Sequence, residues 1–419
     1  MGTEFWLGFL QNYTGAQRLD IFISGQVNTS GTVTMPLVGW SQPFTVTANQ
    51  TTTVTIPVAL AEHTTSEVIE NKSILIQTND TVAVFAINFQ SFTADGSQVF
   101  PIQSLGTEYR VQSYKGLGSF SPGYSSELLV VSTKDDTQVE ITPTATTLGG
   151  RPPGVPFIVD LDSGQTYQVQ ADNPQDDLTG TTVVGTDSSG ACRPFAVFSG
   201  VVCTNIPAGC TACDHVFGQN LPRNVWGTTY FSVPFNTTTG YTYRILADEN
   251  GTSVTVNGGA PLAMNAGDVV EVNNFAGAAC FESNKPINVA QLMEGSSCSG
   301  NGDPALLILN AAEQSIDNVS FATVVSTVIN QHFLNVIVET ASIPTVSLDG
   351  NPIPPGQFTT FTANPLYSWA SLSIAAGSHT LNCPDGLIGY VYGMGGYESY
   401  AYSTGSFTPV PPLVVDSVD

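Results

Sequence analysis

Positive charge is what this chain has least of. Ten lysines and arginines stand against 34 aspartates and glutamates in 419 residues, a formal net charge of −24. That balance repels phosphate backbones and anionic headgroups, and so argues against nucleic-acid and membrane-surface binding. Charges of both signs make up only 11% of the residues, against about a quarter in ordinary domains. Ser, Thr, Asn, Gln and Gly must therefore cover most of the solvated surface. No apolar run reaches the roughly 18 residues that a membrane-spanning helix needs. Helical periodicity is nearly missing too, Val58 to Glu70 and Ala311 to Ile316 being the best short candidates, so a mostly helical domain is excluded. The chain opens on Phe5-Trp6-Leu7-Gly8-Phe9 without the basic and apolar regions of a signal peptide, and any export signal is expected to have been removed.

What is present is material for burial: 42% hydrophobic residues and 10% aromatics, enough to exclude disorder. The length implies two to four domains at about 100 to 200 residues each, and an internal repeat decides among them. Gly2-Thr3-Glu4-Phe5-Trp6-Leu7 returns as Gly106-Thr107-Glu108-Tyr109-Arg110-Val111 and as Gly227-Thr228-Thr229-Tyr230-Phe231-Ser232, with a looser copy at Asn318-Val319-Ser320-Phe321. Each opener is followed by alternating strands and hairpin turns such as Asp248-Glu249-Asn250-Gly251. Each unit closes on a nearly continuous apolar strand, for example Phe195-Ala196-Val197-Phe198, which reads as a strand buried on both faces. A proline-bearing segment then leads onward, as at Phe100-Pro101-Ile102 and Leu221-Pro222-Arg223. The expected fold is all-β: four tandem antiparallel β-sandwich-like units packed end to end, over 1–105, 106–226, 227–315 and 316–407, with a Pro-rich linker at 408–419.

The densest signal runs from Phe195-Ala196-Val197-Phe198-Ser199-Gly200 through Cys203, Cys210, Cys213-Asp214-His215-Val216-Phe217, Gln219 and Leu221-Pro222 to Trp226-Gly227-Thr228. Together with the Gly-Thr-Glu openers, Gly302-Asp303-Pro304, Glu313-Gln314 and Gly389-Tyr390-Val391-Tyr392-Gly393-Met394-Gly395-Gly396-Tyr397-Glu398-Ser399-Tyr400, this set resembles the N-terminal domain of the IgG Fc-binding protein family. That family occurs in metazoan mucus glycoproteins and bacterial surface proteins, and the resemblance covers nearly the whole chain. It implies an extracellular or cell-surface adhesion module without catalysis, its ligand a glycan, mucin or other glycoprotein. The alternative is a rigid stalk that displays another domain. Some mucus-protein domains cleave themselves at Gly-Asp-Pro-His, but here Ala305 follows Pro304.

Seven cysteines lie in the last three units: Cys192, Cys203, Cys210, Cys213, Cys280, Cys298 and Cys383. A disulfide within the loop of Cys203, Cys210 and Cys213 is expected, and Cys280 with Cys298 is a second candidate pair. The alternative for the loop is a structural zinc held by Cys203, Cys210, Cys213 and His215, although one residue between Cys213 and His215 is tighter than paired zinc ligands usually are. Asp214 and His215 are candidate ligand-binding residues, and the same histidine could instead be bonded to backbone. His63, His332 and His379 stand alone. Calcium is an alternative use for the acidic excess, yet Asp135-Asp136, Asp160-x-Asp162 and Asp176-Asp177 sit in turns and form no calcium loop. Tyr392, Tyr397 and Tyr400 could make a carbohydrate platform, since tyrosine joins a flat apolar face to a polar tip, or could pack on one another. Eight Asn-x-Ser/Thr sequons, from Asn12 to Asn318, permit glycosylation.

Overall fold

A computed structural model describes residues 1–118, 123–186, 192–324 and 326–406; the 408–419 segment expected to be a linker lies outside them. The first unit contributes β1 (Gly2–Leu7), β2 (Arg18–Ser24), β3 (Thr29–Met35), β4 (Trp40–Val46), β5 (Thr51–Ile56), β6 (Ile69–Glu70), β7 (Ile74–Gln90) and β8 (Thr93–Val99). The second has β9 (Glu108–Arg110), β10 (Ser126–Ser132), β11 (Thr137–Thr142), β12 (Phe157–Leu161), β13 (Thr166–Gln170), β14 (Thr182–Gly185), β15 (Phe195–Thr204) and β16 (Asp214–Gln219). The third has β17 (Thr229–Ser232), β18 (Tyr241–Ala247), β19 (Thr252–Val256), β20 (Leu262–Met264), β21 (Val269–Phe275), β22 (Ala279–Ser283), β23 (Ile287–Met293) and β24 (Ala305–Ile308). The fourth has β25 (Ile316–Ala322), β26 (Ile329–Glu339), β27 (Ser347–Leu348), β28 (Asn351–Pro352), β29 (Thr359–Thr360), β30 (Tyr367–Ile374), β31 (Ser378–Gly395) and β32 (Ser399–Ser403). The chain is all-β and its sheets are antiparallel.

One strand order recurs four times. The outer sheets run β4-β3-β7-β1, β12-β11-β14-β9, β20-β19-β22-β17 and β28-β27-β31-β25. The inner sheets run β5-β2-β7-β8, β13-β10-β15-β16, β21-β18-β23-β24 and β30-β26-β31-β32. In the first and last units a single long strand, β7 or β31, serves both sheets, its first half pairing outward and its second half inward. Of the helical candidates, only the single turn Val58–Ala61 and a 3-10 turn at Ala312–Gln314 form.

The two sheet types explain the two sequence patterns. Outer strands bury alternate residues, as in β11, where Thr137, Val139 and Ile141 are buried and their neighbours half-buried. Inner strands are apolar on both faces because both faces meet apolar partners. In β10, Leu128 and Val130 point into their own unit's core while Leu129 and Val131 join a cluster with Phe5, Leu7 and Phe9 of the first unit.

The repeated opener has a steric and a polar cause. A Cβ on Gly2, Gly106 or Gly227 would lie 2.4, 2.5 or 2.4 Å from the Cβ of Pro101, Pro222 or Ala311. Each unit's first residues thus sit against its last, which is why glycine recurs there with a compact residue opposite. Tyr109 Oη accepts the Gly106 N–H at 2.9 Å and donates to the Phe195 carbonyl at 2.6 Å. Tyr230 repeats this with Gly227 (3.1 Å) and Ile287 (2.6 Å). In the first unit Phe5 takes the position without the hydroxyl.

The units do not follow one another in a row, which corrects the end-to-end arrangement. The edge strands of the inner sheets meet: β8 lies against β16 and β32, and β24 lies against the same two. The fourth unit therefore returns to the first and closes a ring. Phe22, Phe85 and Ile87 of the first unit share a core with Phe321, Val391 and Tyr402 of the fourth. Phe231 and Ile245 of the third share one with Phe333 and Tyr390 of the fourth. The physical reason is that every inner sheet carries a second apolar face, and only closure leaves none of the four open to water.

Candidate binding face at the ring axis

Burying four sheet edges against one another creates a polar demand, since edge strands carry unpaired N–H groups. Side chains meet it. The Asp95 carboxylate on β8 accepts N–H groups from Gly96 (2.8 Å), Phe217 on β16 (3.1 Å) and Leu306 on β24 (2.9 Å), and a further one from Ala401 on β32. One buried acid thus ties together the edges of all four units. Asp214 Oδ1 accepts from Ala94 at 2.5 Å and from His215 N–H at 2.8 Å, Ser97 Oγ from Gln219 at 2.9 Å, and Gln219 Oε1 from Phe100 at 2.7 Å. Glu398 Oε1 accepts the Phe92 N–H at 2.7 Å, and Ser399 Oγ the Asp303 N–H at 2.9 Å.

Asp214, Asp303 and Glu398 enter the last strands of the second, third and fourth units, and all three are buried. One oxygen of each, Asp214 Oδ2, Asp303 Oδ1 and Glu398 Oε2, is buried without a hydrogen-bond partner. Burial pushes Asp303 up to about 7 and Glu398 up to about 8, the neighbouring Asp303 charge adding to the latter. Burial, then Asp303, Glu398 and Asp95, raises Asp214.

Four loops gather at this end of the axis: the β7–β8 and β31–β32 turns, the cysteine loop before β16, and the segment before β24. Cys203 pairs with Cys213 inside the cysteine loop, and Cys210 pairs with Cys298 across 88 residues, joining the second unit to the third. The Cys280–Cys298 candidate is therefore corrected: Cys280 is a buried free thiol on β22, inside the third unit's core and away from the loops. Its burial and the nearby Glu282 push that thiol up to about 12. The zinc alternative fails for the same reason, its three sulfurs being spent in disulfides, and no group of three His, Cys, Asp or Glu among the described residues could hold a metal ion.

The other sequence candidates are dispersed. His215 is buried, its Nδ1 2.8 Å from the Val201 carbonyl and its pKa lowered to about 4 by burial, so it is a neutral, backbone-bonded histidine with no face open to a ligand. Tyr392 is buried between the third and fourth units, where its hydroxyl accepts the Asn236 N–H at 2.8 Å. Tyr400 is buried against Tyr402, with ring centroids 5.0 Å apart, and its hydroxyl meets His332 Nδ1 at 3.0 Å. Neither ring can serve as an exposed platform, because the second face of the inner sheet is covered. Tyr397 differs: it is 65% exposed and lies beside Phe92, 64% exposed, with centroids 6.0 Å apart. Asn12 is also removed from the sequons, since it is buried and gives its amide to Asn88 and Thr93.

Sequence reasoning missed Asp95, Asp303, Glu398 and Phe92. A signal was available for two of them, since Asp303 and Glu398 precede their units' last strand much as Asp214 begins its own.

The fold is thus a repeat-built, disulfide-braced all-β scaffold with four loops gathered at one end of its axis, where loops can carry a binding site. The comparisons place it in a family. The family model for IgGFc binding protein matches residues 95–393, well over half of the chain, and the chain belongs to that family. It is similar to the human IgGFc-binding protein, 30% identical over 279 residues, which is 64% of this chain and 5% of the human protein. The chain thus spans a small part of the length of that relative.

Proposed function

We propose that the chain is an extracellular adhesion module whose ligand is a glycan or glycoprotein, met at the axial loops. The observation that carries this is the pair Phe92 and Tyr397. Both are aromatic, about two-thirds exposed and side by side. Both also hold φ in the left-handed region, at 71° and 67°. Such a backbone is unfavourable for a bulky residue by about 1 kcal/mol or more. Two neighbouring hairpins from different units accept that strain in order to present a ring outward. Aromatic faces stack on the apolar face of a sugar ring, and the Tyr397 hydroxyl supplies a polar tip. The Cys203–Cys213 and Cys210–Cys298 bridges brace the adjoining loops, so little ordering entropy is lost on binding. Family membership supports a binding role, and the relative's name makes immunoglobulin Fc one glycoprotein to include among the ligands.

The test is binding of the purified chain to a glycan array, immobilised mucin and IgG Fc, alongside the double variant Phe92→Ala/Tyr397→Ala. Retention of the parent on at least one surface, weakened about tenfold or more in the variant, is expected from loss of two stacking faces. No retention of the parent anywhere would sink the adhesion reading. Equal retention of the variant would move the ligand face elsewhere.

A further inference from the structure

The axial carboxylates raise a question that ligand binding does not answer. Asp214, Asp303 and Glu398 come from three different units and lie buried in the contact among all four, each with an oxygen that no donor reaches. The charged groups around them are of one sign. Asp95 stands on β8, Asp214 on β16, Asp303 ahead of β24 and Glu398 ahead of β32. The nearby histidines, His215 on β16 and His332 beside Tyr400, are buried and have lowered pKa values. Tyr400 and Tyr402 on β32 bring only phenols. Among the described residues no salt bridge involves Asp214, Asp303 or Glu398. Adjacent buried carboxylates without a cation cannot all stay ionised, because desolvation and mutual repulsion both oppose it.

We propose that Asp214, Asp303 and Glu398 form a proton-dependent latch, which holds the four edge strands closed when protonated and loosens the axial contact when ionised. Protonation removes the buried negative charges that repel one another, so the same axial contact is less costly when the carboxyls are neutral than when they are ionised. The sign follows from linkage. Asp303 and Glu398 have folded values raised to about 7 and about 8, above ordinary values of about 4 in an unfolded chain. The folded ring therefore binds more protons than the unfolded chain between these limits. Its stability is full below about pH 4 as far as these groups are concerned, and falls as pH rises through about 7 to 8. Loosening would begin at β8, β16, β24 and β32, while the outer sheets, which contain none of the three acids, would be unaffected.

The experiment is hydrogen exchange by mass spectrometry on the intact chain at a series of pH values from about 6 to about 9, with protection factors corrected for intrinsic exchange. Protection of peptides covering the four axial strands is expected to fall by about tenfold or more per unit of pH up to about pH 7, by about fourfold per unit near 8, and to level off towards 9, while β3, β11 and β19 stay level. In Glu398→Gln and Asp303→Asn, which mimic the protonated form, that fall should flatten. If the variants do not fold, the parent's own axial profile still decides. Axial strands that track the outer sheets at every pH would overturn the latch. Restoration of axial protection at about pH 9 by millimolar calcium, reversed by a chelator, would also overturn it, because the cluster would then be a cation site.

Discussion

Replacing Asp95 with alanine removes the acceptor that serves the edges of three other units. The N–H groups of Phe217, Leu306 and Ala401 would be left buried without a partner. An orphaned buried donor costs about 1–3 kcal/mol. With one of the three satisfied by a water entering the vacated space, the expected loss is about 2–6 kcal/mol. That is a large part of the 5–15 kcal/mol typical of folded domains. Asp95→Asn should recover less than half of it. Both oxygens of Asp95 accept, whereas asparagine turns one of them into a donor that faces N–H groups. The assay is urea unfolding followed by tryptophan fluorescence and far-UV circular dichroism, with Asp135→Ala on an exposed turn as control. A loss below about 1 kcal/mol for Asp95→Ala would refute the view that this carboxylate satisfies the buried edges.

The cysteines give two more outcomes. In the native protein a thiol reagent should modify Cys192 alone, since Cys280 and Cys383 are buried, and all three free thiols after unfolding without reductant. Cys210→Ser, which opens the bridge to Cys298 across 88 residues, should destabilise the chain by up to about 4.6 kcal/mol on the chain-entropy account. Cys203→Ser, which opens a link of 10 residues, should cost less.

Much of the fold was legible because it rests on local pattern. Period-two strands such as Thr137 to Thr142 and two-faced strands such as Phe195 to Phe198 correspond to outer and inner sheets. The Gly-Thr opener was visible as a repeat, although its cause, the approach of Gly106 to Pro222, joins residues more than a hundred positions apart. Ring closure was not legible. A strand apolar on both faces says that a second partner exists without saying which, and both a neighbour in a row and a neighbour around a ring satisfy it. The same limit hid the axial site. Asp95, Asp303 and Glu398 each look like an ordinary turn acid, and only the convergence of four edge strands turns them into one cluster. It also hid the Cys210–Cys298 bridge, because loops of the second and third units become neighbours only around the axis. The tyrosine-rich segment misled for the converse reason: Tyr392 and Tyr400 fill the faces that closure covers, and only Tyr397, at the turn, remains outside.

Closure is the claim on which the axial face, its loops and its latch all depend, and small-angle X-ray scattering measures it directly. A closed ring of 419 residues should have a radius of gyration near the compact-domain value, about 22 Å, and in any case below about 26 Å. Four units strung in a row, each about 13 Å in radius of gyration, would give about 35 Å or more and an elongated distance distribution. The first result is the one this structure predicts; the second, for monomeric protein in dilute solution, would contradict it.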